Sequence, residues 1–199
     1  MSKFIEKLST SVDLEQVRKD LATILKFQDW PVSELKPGTK TVSNQIALRH
    51  RPGAKNTWLD GIGSLKDEFG NNDAYESDFS IWNDQLPEYT RSILEDLSKK
   101  ENITLGRVRF MRLPSKMGLT IHTDFEVRYH LVIYTNRFAL FGHAYEGAEE
   151  LAKCYHVPAD GYFYKVDTTL GHFVYNAGKE DRIHLVICPV AEGNTLKNN

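Results

Sequence analysis

The chain has 199 residues, of which 41% are hydrophobic, 11% aromatic and 26% charged, a composition typical of one globular domain and unlike disordered, collagen-like or coiled-coil proteins. Lys and Arg number 25 against 27 Asp and Glu, a net charge of −2, which argues against nucleic acid or an anionic membrane as a partner. The two cysteines are too few for a disulfide scaffold and lack the spacing of a zinc site, so we predict that both are free thiols. No apolar run approaches the length of a membrane helix, and we predict a cytoplasmic protein.

The N-terminal half is predicted to consist of helices and irregular segments. Residues 13–27 are predicted as an amphipathic helix, because apolar residues recur at helical spacing and Asp13 with Gln16 fits a capping box. Residues 41–49 are rich enough in β-branched and aliphatic residues for a strand, and 51–80 are predicted to be a loop or short elements separated by turns. A second helix is predicted to open at Leu86-Pro87-Glu88 and to end near Lys99-Lys100.

The C-terminal half changes to short segments rich in Val, Ile, Tyr and Phe. Strands are predicted over residues 104–113, 119–124, 127–135, 137–141, 153–157, 161–166, 172–175 and 182–190. Such closely spaced strands without intervening helices indicate a mainly β fold, a barrel or a jelly-roll sandwich. We therefore expect a single domain over 1–199, in which a helical and irregular part, 1–102, packs on a β core, 103–192.

A candidate metal site begins with His122-Thr123-Asp124, because the period of two along a strand places both side chains on one face. A third ligand could come from His172, which opens a later strand, and two histidines with one carboxylate suit oxygen-activating Fe(II). The alternatives are a surface histidine beside a turn aspartate and a histidine that caps a strand end; a triplet of this kind arises by chance with roughly even odds.

Two segments share one pattern, Arg128-Tyr129-His130-Leu131-Val132-Ile133 and Arg182-Ile183-His184-Leu185-Val186-Ile187. In each segment Arg and His lie on one strand face, and the alternating apolar residues predict burial. An inward arginine is costly unless it meets an anion, which a small dicarboxylate would supply. The alternative, of about equal weight, is that both arginines point outward and pair with surface carboxylates.

These residues together resemble the aspartyl/asparaginyl β-hydroxylase family of Fe(II)- and 2-oxoglutarate-dependent dioxygenases. The matching text is Arg112-Leu113-Pro114, His122-Thr123-Asp124, Arg128-Tyr129-His130-Leu131, Tyr134-Thr135-Asn136, Gly161, Asp167, His172, Asn176-Ala177-Gly178 and Asp181-Arg182-Ile183-His184-Leu185-Val186. The resemblance covers somewhat less than half of the chain, between residues 107 and 190. It implies a cupin-like double-stranded β-helix, a jelly-roll barrel.

The resemblance also implies a set of site residues. His122, Asp124 and His172 would be the catalytic iron ligands, and Arg182, ten positions after the second histidine, would bind the far carboxylate of 2-oxoglutarate. His130 and Arg128 would contact the carboxylate nearer the metal. His184 would at most line the cavity.

The implied reaction uses Fe(II), 2-oxoglutarate and O2 to hydroxylate an unactivated carbon, with release of succinate and CO2. The substrate would be an amino acid, an amino-acid derivative or a peptidyl Asp- or Asn-type residue, and residues 141–160 could form a lid. Desaturation or epoxidation are alternative outcomes, whereas halogenation is disfavoured because Asp124 is present. A non-catalytic cupin-like module that binds a metal or a small acid is the alternative from another class. The sequence predicts no oligomeric state.

Overall fold

A computed structural model of the protein describes residues 4–36, 39–42, 44–65, 74–144 and 153–191. The helices are α1 Leu14–Ile24 and α2 Glu88–Glu101, and a 3-10 turn spans Glu76–Asp78. The first six strands are β1 Ile5–Ser11, β2 Val32–Lys36, β3 Thr39–Val42, β4 Gln45–Ala47, β5 Arg49–His50 and β6 Ile81–Trp82. The following strands are β7 Leu105–Leu113, β8 Gly118–His122, β9 Arg128–Tyr134, β10 Ala139–His143, β11 Lys153–Tyr155, β12 Tyr162–Val166, β13 His172–Asn176 and β14 Arg182–Pro189.

Strands β7 to β14 confirm the predicted strand-rich half, with small shifts of their ends. They lie in two antiparallel sheets, one with the order β1-β12-β9-β14-β7-β4 and the other with the order β11-β10-β13-β8, and the chain crosses between the sheets after every strand from β7 to β13 except β10, which pairs with β11. A chain that crosses repeatedly between two sheets in this way forms a double-stranded β-helix, or jelly roll. The predicted fold class is therefore confirmed, although β7 to β14 form two separate sheets and not one closed barrel; the pairs β2-β3 and β5-β6 form two further small sheets.

Two compact units divide the chain. Unit 1 contains Met1–Leu14 and Met111–Val186, and unit 2 contains Glu15–Phe110 and Ile187–Asn199. The predicted boundary between residues 102 and 103 falls inside unit 2, because this unit continues to Phe110 in β7. Strand β1, from the N-terminal part, belongs to unit 1. The single-domain expectation stays a prediction.

The core of unit 1 is an apolar cluster with members on both sheets. It consists of Phe4, Leu113, Val132, Phe141, Val157, Tyr164, Val166 and Val174. Val132 on β9 is 1% exposed, and the strand period of two places His130 and Arg128 on the same face as Val132. The polar residues of the candidate site thus share the buried face of this sheet with the core.

Both predicted helices form, and apart from Leu14 at the start of α1 they belong to unit 2. The buried face of α2 comprises Thr90, Ile93, Leu94 and Leu97. Asp20 of α1 accepts hydrogen bonds from the Thr90 backbone N at 3.0 Å and from its hydroxyl at 2.7 Å, which satisfies a donor in the first turn of α2. The strand predicted at 41–49 is wrong as one element: the chain there forms three short strands, β3, β4 and β5.

Candidate metal and cofactor site

A β-bulge aims His122 into the site. On paired strands β8 and β13, His122 lies opposite His172 and Leu119 lies opposite Val174, so two residues of β8 face the single residue Phe173. The extra residue keeps Leu119 and His122 on one face, that of His172, although they are three positions apart. The strand ends at His122, so the prediction that a strand period aligns Asp124 with His122 is wrong.

Asp124 reaches the site from the loop that follows β8. Its backbone N donates to the carbonyl oxygen of Thr168 at 2.8 Å, and the Thr168 hydroxyl donates to the carbonyl of Glu126 at 2.6 Å. Thr168 therefore fixes this loop from both sides. The sequence analysis missed that role, because a threonine in a turn carries no distinctive signal.

His122, Asp124 and His172 come together as predicted. One ligand atom from each lies within 4.8 Å of the others, and His172 Nε2 is 3.6 Å from Asp124 Oδ2. Nitrogen and oxygen ligands that share one ion at about 2.1 Å are at most about 4.2 Å apart, so small side-chain movements suffice.

The two histidines present their Nε2 atoms to this point. His122 Nδ1 lies 2.7 Å from the carbonyl of Thr120, and His172 Nδ1 lies 3.0 Å from the carbonyl of Leu170. A carbonyl only accepts, so each Nδ1 carries the proton and each Nε2 carries the lone pair. Burial lowers the pKa of His172, which keeps it in the neutral form that binds metal.

The carboxylate of Asp124 is divided between two functions. Oδ1 accepts a hydrogen bond from the Arg128 guanidinium, whereas Oδ2 is buried and has no hydrogen-bond partner among the described residues. A buried carboxylate oxygen without a partner is unfavourable unless a cation completes the site. The donor set therefore fits a divalent metal such as Fe(II), with Arg128 orienting the aspartate.

Arg182 is buried at the start of β14. Its side chain is 6% exposed, and no described carboxylate forms an ion pair with it. Its Nη2 donates to His184 Nδ1 at 3.1 Å, and the guanidinium lies 4.8 Å above the ring of Phe141. Burial lowers the pKa of Arg182 to about 9, since the charged form has lost its water.

His130 and His184 meet between adjacent strands β9 and β14. Their Nδ1 atoms are 3.4 Å apart, and their rings pack edge to face with centroids 5.5 Å apart. Burial first, and then the positive charge of Arg182, hold the pKa of His184 well below its ordinary value. His184 is therefore a neutral imidazole beside a cation, which is more specific than the cavity-lining role expected from the sequence.

One cavity connects these groups. Its polar wall is formed by His122, Arg128, His130, Thr168, His172 and Arg182, and its apolar wall by Met111, Leu119, Phe141, Val174 and Val186. The six predicted site residues are thus brought together, since Asp124 contacts His172 at the same cavity. The central part of the predicted lid, residues 145–152, lies outside the described residues.

Comparison with known proteins gives a consistent result. A family model described as aspartyl/asparaginyl beta-hydroxylase matches residues 13–190. A search of curated proteins finds no match. In the part of the chain that the structure describes, no helix is long and apolar enough to cross a membrane.

Solved structures with the same fold include three oxygenases. An oxidoreductase of the 2OG-Fe(II) oxygenase family from Burkholderia pseudomallei is 12% identical, with 94% of this chain and 85% of that chain covered and a TM-score of 0.57. A Trichoplax adhaerens prolyl hydroxylase, solved with a hypoxia-inducible-factor peptide, is 10% identical, with 98% and 88% covered and a TM-score of 0.57. A Pseudomonas putida prolyl-4-hydroxylase is 12% identical, with 96% and 95% covered and a TM-score of 0.51. At these identities the likeness concerns the fold.

Proposed function

Since the chain belongs to the aspartyl/asparaginyl β-hydroxylase family, and is thus a hydroxylase that depends on Fe(II), 2-oxoglutarate and O2, we propose that His122, Asp124 and His172 hold its iron. The convergence of their ligand atoms within 4.8 Å supports this assignment. The iron would supply oxygen activation coupled to oxidation of the keto acid. The residues of the chain orient the ligands, bind the keto acid and exclude water.

The observation that carries the proposal is the position of Arg182. The Arg182 guanidinium is buried and has no acidic partner among the described residues. It lies on the wall of the cavity that His122 and His172 also line. Burying an unpaired charge costs several kcal/mol, and a carboxylate removes that cost because a planar guanidinium binds it in two-point fashion. We therefore assign Arg182 to the carboxylate of 2-oxoglutarate that is remote from the metal.

The carboxylate nearer the metal is assigned to His130, which lines the same cavity. Arg128 also lines it, but its guanidinium already donates to Asp124. Its direct contact with the keto acid, predicted from the family resemblance, thus competes with its role in holding the aspartate. We propose that Arg128 acts first on Asp124 and contributes positive charge to the keto-acid site.

The substrate is proposed to be an amino acid, an amino-acid derivative or a peptidyl Asp- or Asn-type residue, hydroxylated with release of succinate and CO2. Two exposed apolar side chains lie near the ligands: Leu119, which also lines the cavity, is 48% exposed, and Phe125, the residue after Asp124, is 71% exposed. Both offer contact area to the part of a substrate that remains outside the cavity. The peptide in the Trichoplax enzyme shows that a polypeptide can reach such a fold.

The test is an anaerobic visible spectrum recorded before and after addition of Fe(II) and 2-oxoglutarate. We expect a charge-transfer band that disappears when oxygen is admitted, together with 2-oxoglutarate consumption. His172→Ala should abolish the band. His143→Ala is the matched control, since His143 is buried directly opposite His172 on β10 but stacks on Phe4 and lies outside the ligand cluster. A folded protein with no band would favour a non-catalytic binding module.

A further inference from the structure

His184 forms a buried polar contact between the two strands that carry the Arg-His pattern. Its Nδ1 is 3.1 Å from Arg182 Nη2 and 3.4 Å from His130 Nδ1. The His184 side chain is 1% exposed, and strands β9 and β14 are adjacent in the sheet. His184 itself is not part of the cavity wall, whereas Arg182 and His130 are.

The direction of the hydrogen bond follows from the chemistry of the partners. A guanidinium has only donors, so His184 Nδ1 must accept and the proton of this imidazole must lie on Nε2. Arg182 occupies this acceptor at 3.1 Å, whereas His130 Nδ1 lies farther from it, at 3.4 Å, so a proton of His130 can stand on Nε2, where it would reach the keto acid. The charged and titratable groups around His184 are Arg182, His130 and His156, and all three oppose its protonation, so the acceptor is preserved.

The orientation of Arg182 depends on few contacts. Besides His184, the described residues give its guanidinium the face of Phe141 at 4.8 Å. This ring attracts the cation but does not fix the rotation of the guanidinium above it. The affinity of a site for its ligand is lower when a side chain with several rotatable bonds must be ordered at the moment of binding, because that ordering costs conformational entropy. A buried acceptor that orders it beforehand removes that loss.

We propose that His184 is a positioning residue for the keto acid. This inference rests on the proposed function, in which Arg182 binds 2-oxoglutarate. Its Nδ1 holds the guanidinium in the orientation that receives the remote carboxylate. Nothing in this role requires His184 to contact metal, keto acid or substrate. Its effect is confined to ligands that engage Arg182.

The test compares His184→Leu with His184→Asn, whose side chains branch in the same way at Cγ. Asparagine retains an acceptor oxygen close to the position of Nδ1, whereas leucine has none. We expect the leucine variant to raise the Kd for 2-oxoglutarate, measured anaerobically with Fe(II), by about 10- to 100-fold, the effect of losing a hydrogen bond to a charged group. The asparagine variant should remain within about threefold of the wild type.

Two control ligands separate positioning from general disruption. The affinity for Mn(II) alone, and for oxalate, which resembles the metal-binding end of a keto acid but lacks a remote carboxylate, should be equal in the wild type and both variants. Equal weakening of oxalate and 2-oxoglutarate in the leucine variant would overturn the proposal. A wild type that binds Mn(II) but no 2-oxoglutarate would instead refute the proposed function, and a leucine variant that binds 2-oxoglutarate like the wild type would refute the positioning role alone.

A measurement on the unaltered protein covers the case in which the leucine variant does not fold. The imidazole nitrogen spectrum of 15N-labelled wild type should show His184 with its proton on Nε2 and with an unprotonated Nδ1 that accepts a hydrogen bond. A proton on Nδ1 would exclude the bond from Arg182 and with it the proposal.

Discussion

Replacing Arg182 by methionine is expected to stabilise the protein in the absence of keto acid and to abolish its stabilisation by 2-oxoglutarate. The guanidinium is buried without a carboxylate among the described residues, so folding removes it from water without an ion pair in return. Methionine keeps the apolar stem of the side chain as far as about the position of Nε and removes the charged end of the guanidinium.

The magnitude follows from the desolvation. Burial lowers the pKa of Arg182 to about 9, and at about 1.4 kcal/mol for each pKa unit the charged state is disfavoured by an amount on the order of 5 kcal/mol. At pH 7 the group is charged in both the folded and the unfolded chain, so the whole penalty applies there and would decrease only above about pH 9. The bond to His184 and the contact with Phe141 are lost in the variant, which leaves a net gain of about 1–4 kcal/mol, as found for replaced buried ion groups.

Urea unfolding of the apoprotein, with and without 2-oxoglutarate and Mn(II), measures both effects. The wild type should gain stability with increasing 2-oxoglutarate, and the methionine variant should gain none. Arg107→Met is the matched control: Arg107 is equally buried but its Nη2 donates to Glu76 Oε1 at 2.7 Å, so its removal strands a carboxylate and should cost about 3–5 kcal/mol. If Arg182→Met destabilises the apoprotein by as much, the guanidinium is already satisfied and the reasoning is refuted.

Three further substitutions test the support of the site and of the helices. Arg128→Gln should weaken Mn(II) binding about 10- to 100-fold in an EPR titration, because the carboxylate of Asp124 loses the group that orients it; unchanged affinity would remove Arg128 from this role. Thr168→Val preserves shape but removes the hydroxyl bond to the ligand loop, so metal affinity should fall by roughly the 1 kcal/mol of one hydrogen bond, about fivefold; a fall in thermal stability with no change in metal affinity would contradict it. Asp20→Ala removes both bonds to Thr90 and should lower the free energy of unfolding by about 1–3 kcal/mol in urea, with metal affinity unaffected.

Local pattern accounts for most of the jelly roll and fails where pairing decides the structure. Strands β7 to β14 alternate apolar residues or are continuously apolar, a signal that depends only on neighbours in sequence. Strand β1 was not predicted, because it has few apolar residues and exists through its register with β12, where Ile5 lies opposite Val166. The predicted strand over 41–49 is broken into short strands that join different sheets, which no local propensity encodes.

The candidate site, like the fold, was predicted only in part from the sequence. His122 and Asp124 were predicted from their spacing, and His172 was singled out as a third ligand. The reason given for their common face was wrong, since a bulge aims the histidine and a turn held by Thr168 aims the aspartate. A bulge depends on which residue of β13 each residue of β8 pairs with, and sequence alone does not contain that register.

The two Arg-His segments show why residues in similar sequences have different roles. Strands β9 and β14 are neighbours in one sheet, so His130 and His184 meet, while each arginine stands at the start of its strand. Arg128 lies four residues after Asp124 and neutralises it. Arg182 follows Glu180 and Asp181, yet the Asp181 carboxylate lies 3.7 Å from Arg112, and Arg182 turns inward to His184. One charge is thus used to hold a metal ligand, and the other is available for an anion, since none of the described carboxylates pairs with it.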